Sequence, residues 1–168
     1  MTNVWQEMDD WMQASQYWHE WRRKALDDGS IFAVEQTGEY RGYRYMTGFD
    51  CSKGIRCGYV ELHGDEGITA DSWADLELGE RSTGLSFCGY LHEIIQKKWK
   101  SGLVIGFDFG HICHGVDFET WERLCGKKHT RAAETLGFTS GFDGVPASER
   151  TAVRECRCII DQIAAGKG

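Results

Sequence analysis

The 168-residue sequence predicts an α+β fold: an N-terminal helix, an antiparallel sheet of about five strands, and C-terminal helices packed on one face of it. Three observations predict it. Apolar residues recur at helical spacing through the first 28 positions. Between residues 31 and 109 the period shortens to that of strands, broken by glycine-bearing turns. From residue 152 to 164 an unbroken apolar face returns at helical spacing.

Taken in order, Trp5, Met8, Met12, Ser15, Trp18, Arg22 and Ala25 form the first stripe, widened by Trp11 and Trp21. Asn3 with Gln6 resembles a capping box, and Asp27-Asp28-Gly29 supplies the stop. Residues 1–29 are expected to form a Trp-rich amphipathic helix, and residues 30–168 a single α+β domain. The stripe either packs on that domain or anchors a partner or a homodimer, since Trp is enriched among interface anchors.

Residues 31–35 open the sheet, with Thr37-Gly38 as the expected turn. Tyr43 and Tyr45 alternate within a strand at 40–47, residues 48–54 form the next connection, and 55–62 return. Residues 63–80 are polar, with one helical turn expected at 71–76. A further strand is expected at 81–91, with Leu85 and Phe87 on one face. Lys97, Lys98 and Lys100 around Trp99 mark 93–101 as an exposed connection. The run GLVIGFDF at 102–109 suits a strand buried on both faces. A helix at 117–125 follows, with Phe118, Trp121, Leu124 and Cys125 on one side. The final helix, begun by Pro146 or Ser148, turns Ala152, Val153, Cys156, Ile159, Ile160, Ile163 and Ala164 inward. Glu149, Arg150, Arg154, Glu155, Arg157 and Asp161 fill its other side.

Nineteen Lys+Arg against 26 Asp+Glu give a net charge of −7, which argues against general nucleic-acid binding. No apolar run approaches the ~20 residues of a membrane span. The start MTNVWQEMDD lacks the basic and apolar regions of a signal peptide, so the expected location is the cytosol. The 7 cysteines contain no C-x-x-C and are expected as packed thiols. Residues 61–80 hold seven acids (Glu61, Asp65, Glu66, Asp71, Asp75, Glu77 and Glu80) and no base. That stretch is either a solvated loop or a patch complementary to a basic surface.

Chemistry concentrates at 106–115, where a buried strand gives way to a glycine-rich loop carrying Asp108, His111, Cys113 and His114. With His63 and Asp117 these residues offer a weak His/Asp metal set or an acid–base pair; strong metal motifs are absent, and neither a metal nor another cofactor is expected. No nucleophile elbow, phosphate loop or dinucleotide fingerprint is present. Tyr40, Tyr43, Tyr45, Phe49 and Tyr59 either line a stacking pocket or belong to the core.

Four segments in order resemble a family of small phage- and prophage-encoded proteins. Cys57-Gly58-Tyr59-Val60 matches its "cGYV" strand, and Thr83-Gly84-Leu85-Ser86-Phe87-Cys88-Gly89 is similar to "HGGLTFSG". Ile105-Gly106-Phe107-Asp108-Phe109-Gly110-His111 resembles "WWFGFDCAHAGD". Val153-Arg154-Glu155-Cys156 with Asp161-Gln162-Ile163 resembles the closing helix. Ser82 stands for the family's His, Leu103-Val104 for its paired Trp, and Phe109 for its Cys. The resemblance implies phage origin and an accessory role.

The expected function is therefore inhibition of a host process, an antiviral defence such as CRISPR or immune signalling. The means is either binding a host protein or sequestering a nucleotide-like ligand. The ligand or partner residues expected are Tyr43, Tyr45, Tyr59, Asp108, His111, His114, Trp5, Trp11 and Trp18. A small hydrolytic or metal-dependent enzyme centred on Asp108, His111 and His114, and a virion or assembly component, are the alternatives.

Overall fold

The computed structural model describes residues 3–69, 71–73, 85–110, 115–139 and 144–167. Helix α1 (Val4–Asp28) starts at Asn3, whose side chain accepts the Gln6 N–H at 2.7 Å, and stops at Gly29 in the left-handed region (φ 79°). Five strands follow: β1 (Phe32–Tyr40), β2 (Tyr43–Asp50), β3 (Ile55–Glu61), β4 (Phe87–Gly89) and β5 (Val104–Asp108). They pair antiparallel in the order β1-β2-β3-β5-β4. A short α2 (Glu93–Gln96) lies between β4 and β5. The chain ends with α3 (Phe118–Cys125), α4 (Lys127–Thr135) and α5 (Glu149–Lys167). The α+β architecture expected from the sequence is the architecture found. No helix among the described residues is long and apolar enough to cross a membrane.

Several local expectations are corrected. The β1–β2 turn is not Thr37-Gly38 but Arg41-Gly42, both left-handed (φ 51° and 82°), the two-residue geometry that matches strand twist. Thr37 and Gly38 lie inside β1, paired with Met46 and Tyr45. Gly38 is there for space, since a Cβ would come within 2.5 Å of the Tyr45 hydroxyl. Strand β2 also runs on to Asp50 instead of ending at 47. Residues 93–101 are more than an exposed connection: Lys97 and Lys100 are exposed, but Lys98 donates to the Gly29 and Phe32 carbonyls and Trp99 is buried beside α2. Only 87–89 of the strand expected at 81–91 is paired, and 81–84 lie outside the described residues, as do 74–76 of the expected helical turn. Helix α4 adds an element that the apolar periodicity of the sequence does not predict.

The two sheet faces bury different partners. Tyr43, Tyr45, Val60, Ile105 and Phe107 point to the face that α5 covers with Ala152, Cys156, Ile159, Ile160 and Ile163. Met46, Cys57 and Val104 point the other way and meet Phe32, Leu91 and Trp99. Beyond the end of β2, a third cluster joins α1 to α3 and α4 through Ala14, Trp18, Phe49, Cys51, Trp121 and Ala133.

Buried charge also sits among these layers. Arg56, on β3, is 5% exposed. Its guanidinium donates to both Glu35 carboxylate oxygens (2.8 and 3.1 Å), to Asp117 (2.5 Å), to the Thr120 hydroxyl (3.0 Å) and to the Ala147 carbonyl (2.9 Å). A register shift between Val34 and Gln36 makes this possible: the bulge delivers Glu35 to the Arg56 side before β1 resumes its alternation. Asp117 at the same time caps α3 by accepting the Thr120 N–H at 3.0 Å.

Burial alone would lower the Arg56 pKa, but its bonds to Glu35 and Asp117 outweigh that and raise it, so the group stays charged. Burial pushes the Glu35 carboxyl up, with Arg56 offsetting part of the rise. Asp117 also feels burial, yet the bonds it accepts from Thr120 and Arg56 hold it below its usual value. Replacing Arg56 alone leaves two buried carboxylates without their cation. Arg56→Met is therefore expected to cost about 3–5 kcal/mol in urea unfolding, and the Arg56→Met/Glu35→Leu pair less than the single variant.

Candidate functional site

The loop between β2 and β3 organises a concave region. The Cys51 carbonyl accepts two bonds, from Trp121 Nε1 at 2.8 Å and from His129 Nε2 at 3.0 Å. Because a carbonyl only accepts, His129 carries its proton on Nε2. Its Nδ1 is then the acceptor for the Tyr17 hydroxyl at 3.4 Å. The His129 ring is fully buried, stacked on Trp18 (4.5 Å between centroids) and flanked by Trp21 (4.2 Å) and Trp121 (5.3 Å). Phe138 meets Trp18 edge-on at 4.8 Å.

Against this aromatic shell lies a cavity of about 460 Å³, lined by Trp18, Ser52, Lys53, Ile55, Gly110 and Phe138. Its walls are apolar, with one exposed lysine and one hydroxyl at the rim. Such a space can hold a flat apolar group with an acidic substituent near Lys53. The glycine-rich segment singled out from the sequence reaches it at Gly110.

The sequence-predicted site residues separate. Tyr43 and Tyr45 are buried beneath α5, whereas Tyr59 points to the opposite face and meets Phe87 edge-on at 5.9 Å. Two-residue alternation along paired strands forbids these three rings from sharing one pocket. Asp108 ends β5, where its carboxylate accepts the Gly110 N–H (2.9 Å) and the Ser86 hydroxyl (3.2 Å), both local roles. His111 and His114 lie outside the described residues. Trp18 belongs to the shell around His129, while Trp5 and Trp11 are exposed at 75% and 52%.

His63 is not gathered toward Asp108. It stacks flat on Tyr43 (4.1 Å, 4°) and donates from Nε2 to the Gly42 carbonyl at 2.9 Å. With Asp65 and Glu66 it forms the one His/acid group among the described residues whose ligand atoms lie within 4.8 Å of one another. Glu66 already accepts the backbone N–H groups of His63 (2.6 Å) and Gly64 (2.8 Å), so it serves to close that turn.

The cysteine sulfurs near the shell interact. The bond to Cys51 lowers the Cys125 pKa, while Cys51 itself is pushed up by that bond and by burial. Sequence reasoning missed His129 because nothing in Lys127-Lys128-His129-Thr130-Arg131 marks the histidine as buried.

Burial lowers the His129 pKa from 6.5, and its bond to the Cys51 carbonyl offsets part of this. The unfolded chain then takes up a proton at higher pH than the folded chain. Stability contributed by neutral His129 is present above the unfolded pKa and is lost as pH falls below it. Thermal unfolding between pH about 7.5 and about 5.5 is expected to show this fall, and His129→Gln, which keeps a donor but does not titrate there, is expected to flatten it.

Comparison with family models, with curated proteins and with solved structures gives no match.

Proposed function

We propose that this chain is a phage accessory protein that acts in the host cytosol as an inhibitor by binding a host protein, an antiviral-defence component being the favoured target. Helix α1 is the element through which it binds. The observation that carries this reading is the state of its first half. Val4, Trp5, Met8, Trp11 and Met12 are 67%, 75%, 50%, 52% and 61% exposed. The order of motifs resembling phage proteins supports the setting, and the exposed anchors support the mode.

Helix geometry explains why these side chains are bare. At 1.5 Å per residue the 25 residues of α1 span roughly 37 Å, whereas the nine-residue α4 on which it packs spans roughly 13 Å. The buried residues Ala14, Trp18 and Ala25 begin only at the eleventh position of the helix; the turns before them extend past its support. Burying Trp and Met in a partner groove recovers apolar area that solvent otherwise holds. Glu7, Asp9 and Asp10 lie between these anchors, and no Lys or Arg occurs before Arg22. An apolar groove with a basic rim is the complement.

The test is plaque formation by a defence-sensitive phage on cells that express both the defence and this chain. Trp5→Asp/Met8→Asp/Trp11→Asp is expected to abolish the protection given to the phage. Because these side chains are exposed, the stability change should stay within about 1 kcal/mol in unfolding measurements. Full protection by a folded triple variant would overturn the reading.

A further inference from the structure

A second surface has a different chemistry. Helix α5 carries Arg150, Arg154 and Arg157 at intervals of four and three residues, which places all three on one side of the helix. All are exposed. With Gln36 from β1, Glu149 and Val153 they line a groove of about 540 Å³. Gln36 reaches it because the β1 bulge returns the residues after Glu35 to the α5 side. There Gln36 lies 3.5 Å from Glu149, and Tyr40 donates to Asp161 at 3.0 Å.

The three arginines outnumber the one carboxylate of the groove, Glu149, and form no direct ion pair among the described residues. Asp161, one turn beyond Arg157, accepts from Arg41 at 2.9 Å as well as from Tyr40. Glu155 is 3% exposed and does not line the groove. Among the described residues, none of the three arginines has a carboxylate within 4.0 Å. The Arg157 guanidinium is fixed instead over the Tyr40 ring, 5.3 Å from its centroid. Three cations against one carboxylate thus line one concave wall of a chain whose net charge is −7.

We infer that the groove between β1 and α5 binds a small ligand carrying two or more linked phosphates. Guanidinium groups match phosphate oxygens bidentately. Arg150 and Arg157 lie roughly 10 Å apart along the helix axis, a reach suited to a linear oligophosphate and too long for one phosphate to bridge. A long nucleic acid is disfavoured because the acidic remainder of the surface repels an extended polyanion. This site is separate from the α1 surface and does not depend on it.

Calorimetric titration of the full chain tests the inference, with inorganic tripolyphosphate, ATP, orthophosphate and a 20-base-pair DNA as probes at about 0.15 M salt. Tripolyphosphate and ATP are expected to bind, orthophosphate at least about tenfold more weakly, and DNA not at all. Equal affinity for tripolyphosphate and ATP would assign recognition to the phosphates alone; tighter ATP would add a nucleoside contact, and both support the site. Arg150→Glu/Arg154→Glu should reduce tripolyphosphate binding more than about a hundredfold, and the milder Arg154→Gln about tenfold, with unchanged thermal unfolding. The α1 triple variant should bind as the wild type does. Absence of tripolyphosphate binding, unchanged binding by the folded charge-reversed protein, or tighter binding of DNA would overturn the proposal.

Discussion

Arg56 is the point on which the architecture turns. Its five hydrogen bonds reach a bulged strand, the cap of α3 and the carbonyl of Ala147 just before α5. Removing a guanidinium from water is costly, and the neighbouring ring of Phe49, 5.5 Å away, restores little of that cost. What the arrangement supplies is uniqueness. A one-residue slip of β1 against β2 would take Glu35 away from Arg56, and a shift of α3 would take Asp117 away. Either error leaves a charge buried without its partner, so the network penalises wrong registers more than it rewards the right one.

The same economy appears at the Cys51 carbonyl. It receives Trp121 and His129, and the Cys51 N–H donates to Ile31 at 2.9 Å. One turn thereby ties together the start of β1, α3 and α4. Helix α1 then closes over the resulting aromatic shell with Trp18 and Trp21. That contact uses the later turns of the helix and is why its first turns are left in solvent. The exposed tryptophans are a consequence of core construction, not of a shortage of core to fill.

Much of this was legible in residue order. The caps of α1, the β2–β3 hairpin, β5 and the apolar face of α5 each pair a local signal with a period, and the α+β class follows from their succession. Elements lacking one of these were misread. Thr37-Gly38 has turn chemistry, but Gly38 is required by the Tyr45 ring across the strand, a contact that no local rule contains. Helix α4 buries only His129, Thr130, Ala132 and Ala133, so no bulky stripe announces it. The periodicity of α1 predicts a stripe through Ser15 and Arg22, whereas the buried line runs through Ala14, Trp18 and Ala25. Tryptophans on two sides of one helix offered two possible faces, and only the docking of α4 chooses between them. The arginine row was legible as the polar side of α5, but its concavity was not, because the opposite wall comes from β1, more than a hundred residues away.

Charge shows most clearly how position overrides composition. The total of −7 excludes a long polyanion as a general partner, since such a ligand samples the whole surface. It does not describe the α5 groove, where three arginines stand against the single carboxylate of Glu149. Glu149 faces Gln36, Glu155 is buried, and Asp161 is held by Arg41 and Tyr40. Bases and acids alternate in the sequence of this helix, but the helical turn sorts the three arginines onto one line. Successive arginines on that line are one helical turn apart, about 5 Å along the axis, so their charges act together on whatever enters the concavity. A small anion entering the groove meets that local field before it meets the net charge. An acidic protein with a cationic groove therefore selects against polyanions by size, admitting only those short enough to stay within the row.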